Sequence, residues 1–242
     1  MDSPITPYQH SSAGKKEQVA SMFNRIAVRY DFLNHFLSLG IDKIWRRKAI
    51  SEFTETMPVT LLDLATGTGD LGFDALKRSN IKVVGIDISA NMLELADKKI
   101  KIAGLEHRFS VELGDSENLT FADNSFDGVM AAFGVRNFEN LEKGLSEMYR
   151  VLKPGSKAVI LEFSQPTLFP FRQIYLIYFK YILPFLGSKV SRDREAYSYL
   201  HRSVVNFPDG KLFVSLLETA GFTHTKHTPL SLGICTIYTG LK

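Results

Sequence analysis

Between residues 59 and 163 short apolar runs alternate with stretches of helical period, and no other feature of the chain constrains its fold as much. The runs cover residues 59–65, 82–87, 108–113, 126–133 and 157–163. Between them, residues 71–77, 89–103 and 141–152 repeat their apolar positions every three or four residues. A short run without polar alternation reads as a strand buried on both faces, which requires helices above and below it. The alternation therefore predicts a parallel sheet with helices on both faces. Ser89 is placed to cap its helix, its hydroxyl accepting from the amide of Asn91 or Met92. Pro154 and Gly155 are expected to stop the helix before the fifth strand.

The flanks differ from this centre. Residues 16–30 have helical spacing, and residues 31–53 continue in that manner, so a helical cap over residues 17–56 is expected on the sheet. Residues 1–16 are polar with two prolines, lack the apolar core of a leader peptide, and read as a flexible or loosely docked arm. After a helix over residues 209–221, two strand candidates at 223–228 and 233–239 flank a turn at 229–232, an antiparallel hairpin for the sheet edge. Residues 165–208 form a Phe- and Tyr-rich insertion of lid-like length. Its apolar stretch, residues 168–186, is broken by Pro170, Arg172, Gln173, Lys180 and Pro184, so no transmembrane helix is expected. The whole reads as one domain over residues 17–242. Here charge and cysteine content narrow the classes. With 29 basic against 26 acidic residues, the net +3 is too even for a dedicated nucleic-acid binder. A lone cysteine, Cys235, excludes an internal disulfide or a multi-cysteine metal site and suits a reducing, cytoplasmic setting.

Chemistry enters at the first strand-to-helix turn, Asp63-Leu-Ala-Thr-Gly67-Thr-Gly69-Asp-Leu-Gly72. Gly67 and Gly69 allow a sharp turn and close approach of a ligand to the backbone around Thr68. Asp87 ends the second strand twenty residues after Gly67, where a carboxylate can accept from ribose hydroxyls. The same spacing satisfies the dinucleotide fingerprint, so a dehydrogenase is the first rival. Three features favour S-adenosylmethionine instead. Asp63 stands beside the place a pyrophosphate would occupy, and S-adenosylmethionine, which has no phosphate and carries cationic sulfonium and amino groups, tolerates an acid there. Asp115 and Ser116 follow the third strand, within reach of an adenine amino group. The edge hairpin fits a methyltransferase sheet better than a dinucleotide one. Taken singly, each glycine is as readily a plain turn and each acid a solvated strand end; their order along one pattern decides. The expected architecture is thus α/β and Rossmann-like, a class I S-adenosylmethionine-dependent methyltransferase with a mainly parallel seven-stranded sheet and an antiparallel C-terminal hairpin.

A closer resemblance rests on Phe23-Asn-Arg-Ile-Ala-Val-Arg-Tyr-Asp31, Leu33-Asn34, Leu37-Ser-Leu-Gly40 and Trp45-Arg46, on the glycine turn, and on Phe133-Gly-Val-Arg-Asn137, Met148-Tyr-Arg-Val-Leu-Lys-Pro-Gly155 and Leu161-Glu-Phe-Ser164. From about Ser21 onward the chain resembles the ubiquinone/menaquinone C-methyltransferases. The glycine turn and Lys-Pro-Gly are shared by many methyltransferases; the Arg-Tyr-Asp and Phe-Gly-Val-Arg-Asn segments are the telling ones. The resemblance implies methylation of a polyprenylated quinol, demethylmenaquinol to menaquinol and in some members a ubiquinol precursor. It implies cofactor contacts at Thr68, Asp87, Asp115 and Ser116. Ala132 stands where some members carry a serine, and His201-Arg202 replace a tract with a glutamate, so roles resting on those residues do not carry over.

For such a reaction the sequence offers Arg136 to stabilise a ring oxyanion, Asn137 to orient it and Tyr30 to close over the ring. An arginine paired with a surface acid and an ordinary helix tyrosine are the plain readings beside these. His201 is a candidate base, more simply read as a surface residue. No metal is expected. Aromatic bulk beside Arg172, Lys180, Lys189, Arg192 and Arg194 in the insertion suits reversible peripheral contact with an anionic membrane, a tunnel wall, or cover for the sheet. A methyltransferase for another phenol or sterol, and a non-catalytic nucleotide-binding module, stay open, as does a homodimer.

Overall fold

The computed structural model describes residues 5–8, 10–38, 40–53, 59–78, 80–177 and 194–242. Its centre is a seven-stranded sheet in the order β3-β2-β1-β4-β5-β7-β6. The strands are β1 (Thr60–Leu64), β2 (Lys82–Asp87), β3 (Phe109–Leu113), β4 (Phe126–Ala132), β5 (Leu152–Phe163), β6 (Thr223–Leu230) and β7 (Cys235–Leu241). β1 to β5 run parallel; β7 pairs antiparallel with β5, and β6 with β7. This antiparallel edge is the one expected of a methyltransferase, and it weighs against the dehydrogenase rival, whose sheet is mostly parallel.

Successive residues on the central strands alternate between two apolar layers, as a pleated strand demands. Leu62, Val129, Ala131 and Ile160 face one layer, filled by α5 (Leu141–Val151) and α8 (Lys211–Thr219). Leu61, Met130, Val159 and Leu161 face the other, filled by α2 (Ile41–Ser51) and α3 (Asp70–Leu76), with Ile100 of α4 (Ala90–Ile102). Ser89 caps α4 as expected, accepting from Met92 N at 3.3 Å.

Several boundaries differ from expectation for identifiable reasons. The N-terminal helical stretch is two helices, α1 (Lys15–Leu37) and α2, separated at Gly40, whose φ of 76° cannot continue a helix. β5 starts at Leu152, directly after α5, because the Lys-Pro-Gly segment bends onto the C-terminal strand, with Gly155 N bonded to Lys242 O. The hairpin turn falls at Ser231–Gly233, and Pro229 ends up inside β6, which is tolerated on an edge strand.

Residues 5–8 of the arm are packed rather than loose, while residues 10–12 are exposed. Pro7 is buried, and Ile5 and Tyr8 pack against Val19, Met22, Ala196 and Tyr199. Lys15 N donates to Glu139 Oε1 and Arg202 Nη2 to Thr6 O. Three well-placed apolar residues outweigh the polarity that suggested looseness. In the insertion, α6 (Phe171–Ile177) and α7 (Arg194–Val205) are described. α7 meets α1 through Ala196 and Tyr199. Tyr178, Lys180, Tyr181, Ile182, Phe185, Lys189 and Arg192 lie outside the described residues.

Candidate active site

A pocket lies over the carboxyl ends of β1, β2 and β4, the edge where ligands bind in open α/β sheets. Its floor is the glycine turn. Ala65, Gly67 and Gly69 are all left-handed, with φ of 51°, 58° and 86°. At Gly67 nothing lies within 4 Å of where a Cβ would stand, so the loop leaves open space for a ligand. Gly72 serves packing instead. A Cβ there would run into the Phe109 ring, so the glycine lets α3 sit tightly on β3.

Of the acids, Asp87 is the structural hinge of this floor. Its Oδ2 accepts from Gly67 N and its Oδ1 from Ser89 N, both at 2.8 Å. Burial raises its pKa, and the amides of Ser89, Gly67 and Ile88 pull it back down. Asp115 and Ser116 line the far end. Asp115 Oδ2 accepts from Lys16 Nζ at 2.7 Å, and Glu117 lies 3.3 Å from the same ammonium. Three carboxylates, Asp87, Asp115 and Glu117, thus face one ammonium in the lining. That balance opposes a pyrophosphate and suits a ligand with a cationic centre and ribose hydroxyls. The donor set fits S-adenosylmethionine.

Of the residues expected at the cofactor, Gly67, Asp87, Asp115 and Ser116 line the pocket, whereas Asp63, Thr68 and Gly69 do not. Asp63 is buried beneath the turn, where its Oδ2 accepts from Thr66 Oγ1 at 2.7 Å, and burial pushes its pKa up to about 7. Thr68 is buried and receives Lys99 Nζ at 3.1 Å. Gly69 shapes the entry to α3. These three build the turn from below instead of lining it.

Of the residues expected at the substrate, Tyr30 and Asn137 line the pocket. Tyr30 meets Phe23 edge-to-face at 5.6 Å. Asn137 ends a short 3₁₀ turn, Val135–Asn137, and its buried Oδ1 has no hydrogen-bond partner among the described residues. Arg136 sits behind the wall. Its Nη1 donates to Glu162 Oε1 at 2.8 Å and to Phe133 O, and its guanidinium lies over the Phe163 ring. The partner is therefore a fully buried acid on the adjacent strand, not a surface acid. His201 is half-buried on α7, outside the pocket lining. Ala132 does line it.

Sequence reasoning missed Lys16, Phe23, Phe133 and Glu117 in the lining, and Glu162 behind it. Lys16 and Phe23 arrive from α1, far from the glycine turn in sequence. Glu162 did carry a signal: an acid inside the apolar run Val159-Ile-Leu-Glu-Phe163, at a position that can only be buried. Asn24 was missed too; its Oδ1 accepts from Ser89 Oγ and Asn91 N, fastening α1 to the start of α4.

Curated proteins share much of this sequence, and solved structures share its fold. A demethylmenaquinone methyltransferase of Bacteroides fragilis is 47% identical over 98% of this chain and 97% of its own length. A ubiquinone/menaquinone biosynthesis C-methyltransferase of Geotalea daltonii is 44% identical over 94% of this chain and 97% of its own. Among solved structures, an S-adenosylmethionine-dependent methyltransferase of Thermotoga maritima superposes with a TM-score of 0.66 at 20% identity, over 92% of this chain and 99% of that one, and speaks for the fold alone. The profile of the ubiE/COQ5 methyltransferase family matches residues 11–242, and the chain belongs to that family.

Proposed function

We propose that this enzyme methylates a ring carbon of a polyprenylated quinol, converting demethylmenaquinol to menaquinol, with a ubiquinol precursor as a second substrate. The observation that carries the reading is one pocket in which acids suited to S-adenosylmethionine meet aromatic and amide groups suited to a quinol ring, in a chain 47% identical to a demethylmenaquinone methyltransferase.

When bound, S-adenosylmethionine supplies a methyl group on a cationic sulfur, open to attack by a carbon nucleophile. Asp87 and Asp115 would hold the donor by its hydroxyls and amino groups, and Gly67 leaves the backbone clear for it. Tyr30 and Phe133 offer aromatic faces that flank the ring and exclude water. The ring carbon becomes nucleophilic when the neighbouring hydroxyl gives up its proton to water before the ring is enclosed, and charge spreads from oxygen into the ring. Once that carbon has taken the methyl and the neutral thioether has left, its own hydrogen departs as a proton and the aromatic ring is restored. Asn137 orients that oxygen, and Arg136 supplies positive charge behind it in a poorly solvated place, where electrostatic stabilisation is strongest. Arg136 Nε is buried and has no hydrogen-bond partner among the described residues. Fixing the reacting atoms at near-attack distance, roughly 3–3.5 Å, accounts for the rest of the rate.

Labelled-methyl transfer to extracted demethylmenaquinol tests the reading. Product heavier by one methylene supports it, whereas label on a soluble phenol or sterol, or no turnover, sinks it.

The tail of such a quinol lies in a bilayer. No helix among the described residues is long and apolar enough to cross one. Leu168, Phe169, Phe171 and Ile177 are nonetheless exposed around α6, next to Arg172. They suit shallow, reversible contact with an anionic cytoplasmic leaflet. Flotation with phosphatidylglycerol vesicles should fall about tenfold for Phe169→Asp/Phe171→Asp; equal flotation by both proteins sinks the contact.

A further inference from the structure

Glu162 lies near the end of β5, in the middle of the sheet, and is 0% exposed. An apolar residue there would satisfy the core, as Ala158, Ile160 and Leu161 do on the same strand. A buried ion pair is seldom more stabilising than apolar side chains of the same volume, so stability alone does not account for a carboxylate at this position. Its bonds show what it holds. Oε1 accepts from Arg136 Nη1 at 2.8 Å and from Phe163 N at 2.8 Å, and Oε2 accepts from Arg136 N at 3.3 Å. One carboxylate, fixed to its own strand, thereby grips both the guanidinium and the main chain of Arg136.

Two consequences reach the pocket. The main-chain bond anchors the 3₁₀ turn Val135–Asn137, whose last residue is in the pocket lining. From the other side Lys15 Nζ holds the carbonyls of Phe138 and Arg136, at 2.5 and 3.5 Å, so the turn is pinned at both its N–H and C=O groups. The side-chain bond, with the Phe133 carbonyl and the Phe163 ring 5.4 Å below the guanidinium, fixes how Arg136 is turned. Nη1 is engaged inward and Nε is left without a hydrogen-bond partner among the described residues.

We propose that Glu162 is a positioning residue for methyl transfer: it sets the orientation of the Arg136 guanidinium and the placement of Asn137, and touches neither substrate nor cofactor. This rests on the reading that Arg136 and Asn137 serve the substrate oxygen. Glu162 lies outside the cofactor lining, so its loss should lower kcat while leaving S-adenosylmethionine affinity nearly unchanged.

The test compares Glu162→Gln, Arg136→Met and the double variant Glu162→Leu/Arg136→Met, reading kcat with a short-chain demethylmenaquinol, S-adenosylmethionine affinity by calorimetry, and Tm. Losing one aligned electrostatic group at a developing oxyanion typically costs about 100-fold in rate, and misaligning it should cost Glu162→Gln at least about tenfold. Affinity should stay within about twofold, because no cofactor contact is removed. The double variant separates the roles. It restores an uncharged, well-packed core, so Tm should return toward wild type while kcat stays as low as in Arg136→Met. If kcat recovers with Tm, the pair is structural only and the proposal falls. If Arg136→Met is slow but folded Glu162→Gln turns over normally, the positioning role alone fails. Normal turnover by Arg136→Met would remove the role of Arg136 itself, and that of Glu162 with it. Should Glu162→Gln not fold, Glu162→Asp, which keeps the charge but shortens its reach to Arg136, decides in its place: a lower kcat at unchanged affinity supports the proposal and normal turnover overturns it.

Discussion

The two halves of the pocket are built by different means. On the β1–β3 side, carboxylates and main-chain amides within about fifty residues of one another shape the site, as Asp87 does by binding Gly67 N and Ser89 N. On the β4–β5 side, residues from distant parts of the chain come together: Tyr30 from α1 and Asn137 from the turn after β4 in the lining, with Glu162 of β5 behind it. The first half is a local motif; the second is a tertiary assembly. The cofactor half should therefore respond to single substitutions through affinity, and the substrate half through kcat and through coupling between distant residues.

The largest effect that would sharpen this contrast is expected at Asp87. Asp87→Ala removes two 2.8 Å bonds that hold the glycine turn and also the carboxylate meant for the ribose. Charge-assisted bonds contribute roughly 1.5–3 kcal/mol each, so S-adenosylmethionine affinity should fall about 100-fold in a protein that still folds. Calorimetry giving an unchanged Kd would dissolve the distinction between the halves.

That contrast also explains what could be read in advance. The strands, the helices and the acids at strand ends follow from apolar period and turn residues, which are local properties; the order of the strands in the sheet is not one of them. Asp87, Asp115 and Gly67 were legible for that reason. Which side of the turn Asp63 and Thr68 occupy was not, because it depends on α2 and α4 packing beneath, where Lys99 reaches Thr68. The pairing of Arg136 with Glu162 joins residues twenty-six apart, one in the turn after β4 and the other on β5, and only the register of β4 against β5 brings them together. Lys16 lay in a stretch whose polarity hid its docking onto Asp115.

A smaller effect separates the floor from its foundation. Asp63 is fully buried, and burial raises its pKa to about 7 from 3.8. Because the folded value lies above the unfolded one, its neutral form contributes stability at pH below about 4, and that contribution disappears as pH climbs toward 7. Asp63→Asn, neutral throughout, should gain on wild type by about 2 kcal/mol between pH 5 and pH 8, as measured by urea midpoints. Its S-adenosylmethionine affinity should drop far less than that of Asp87→Ala, since Asp63 does not line the pocket. A stability difference that is constant with pH would mean that Asp63 is ionised in the fold across the whole range.

The smallest expected effect lies where the two halves touch. Lys16 comes from α1, the helix that also carries Tyr30, yet its ammonium binds Asp115 and Glu117 on the cofactor side. Both partners of the Lys16–Asp115 bridge are about a third exposed, so solvent screens it and little stability depends on it. For a cationic donor, however, Lys16 is both a competitor for Asp115 and a source of repulsion. Lys16→Met, which keeps the length of the side chain and removes its charge, should therefore raise S-adenosylmethionine affinity by about two- to threefold at low salt, with the gain vanishing near 0.5 M salt as screening shortens to a few ångströms. The thioether product without the methyl group has no sulfonium charge and should gain less. Weaker binding of both ligands by the same factor would show the opposite: that Lys16 serves to hold α1 down over the pocket, and that the two halves are mechanically joined at this bridge.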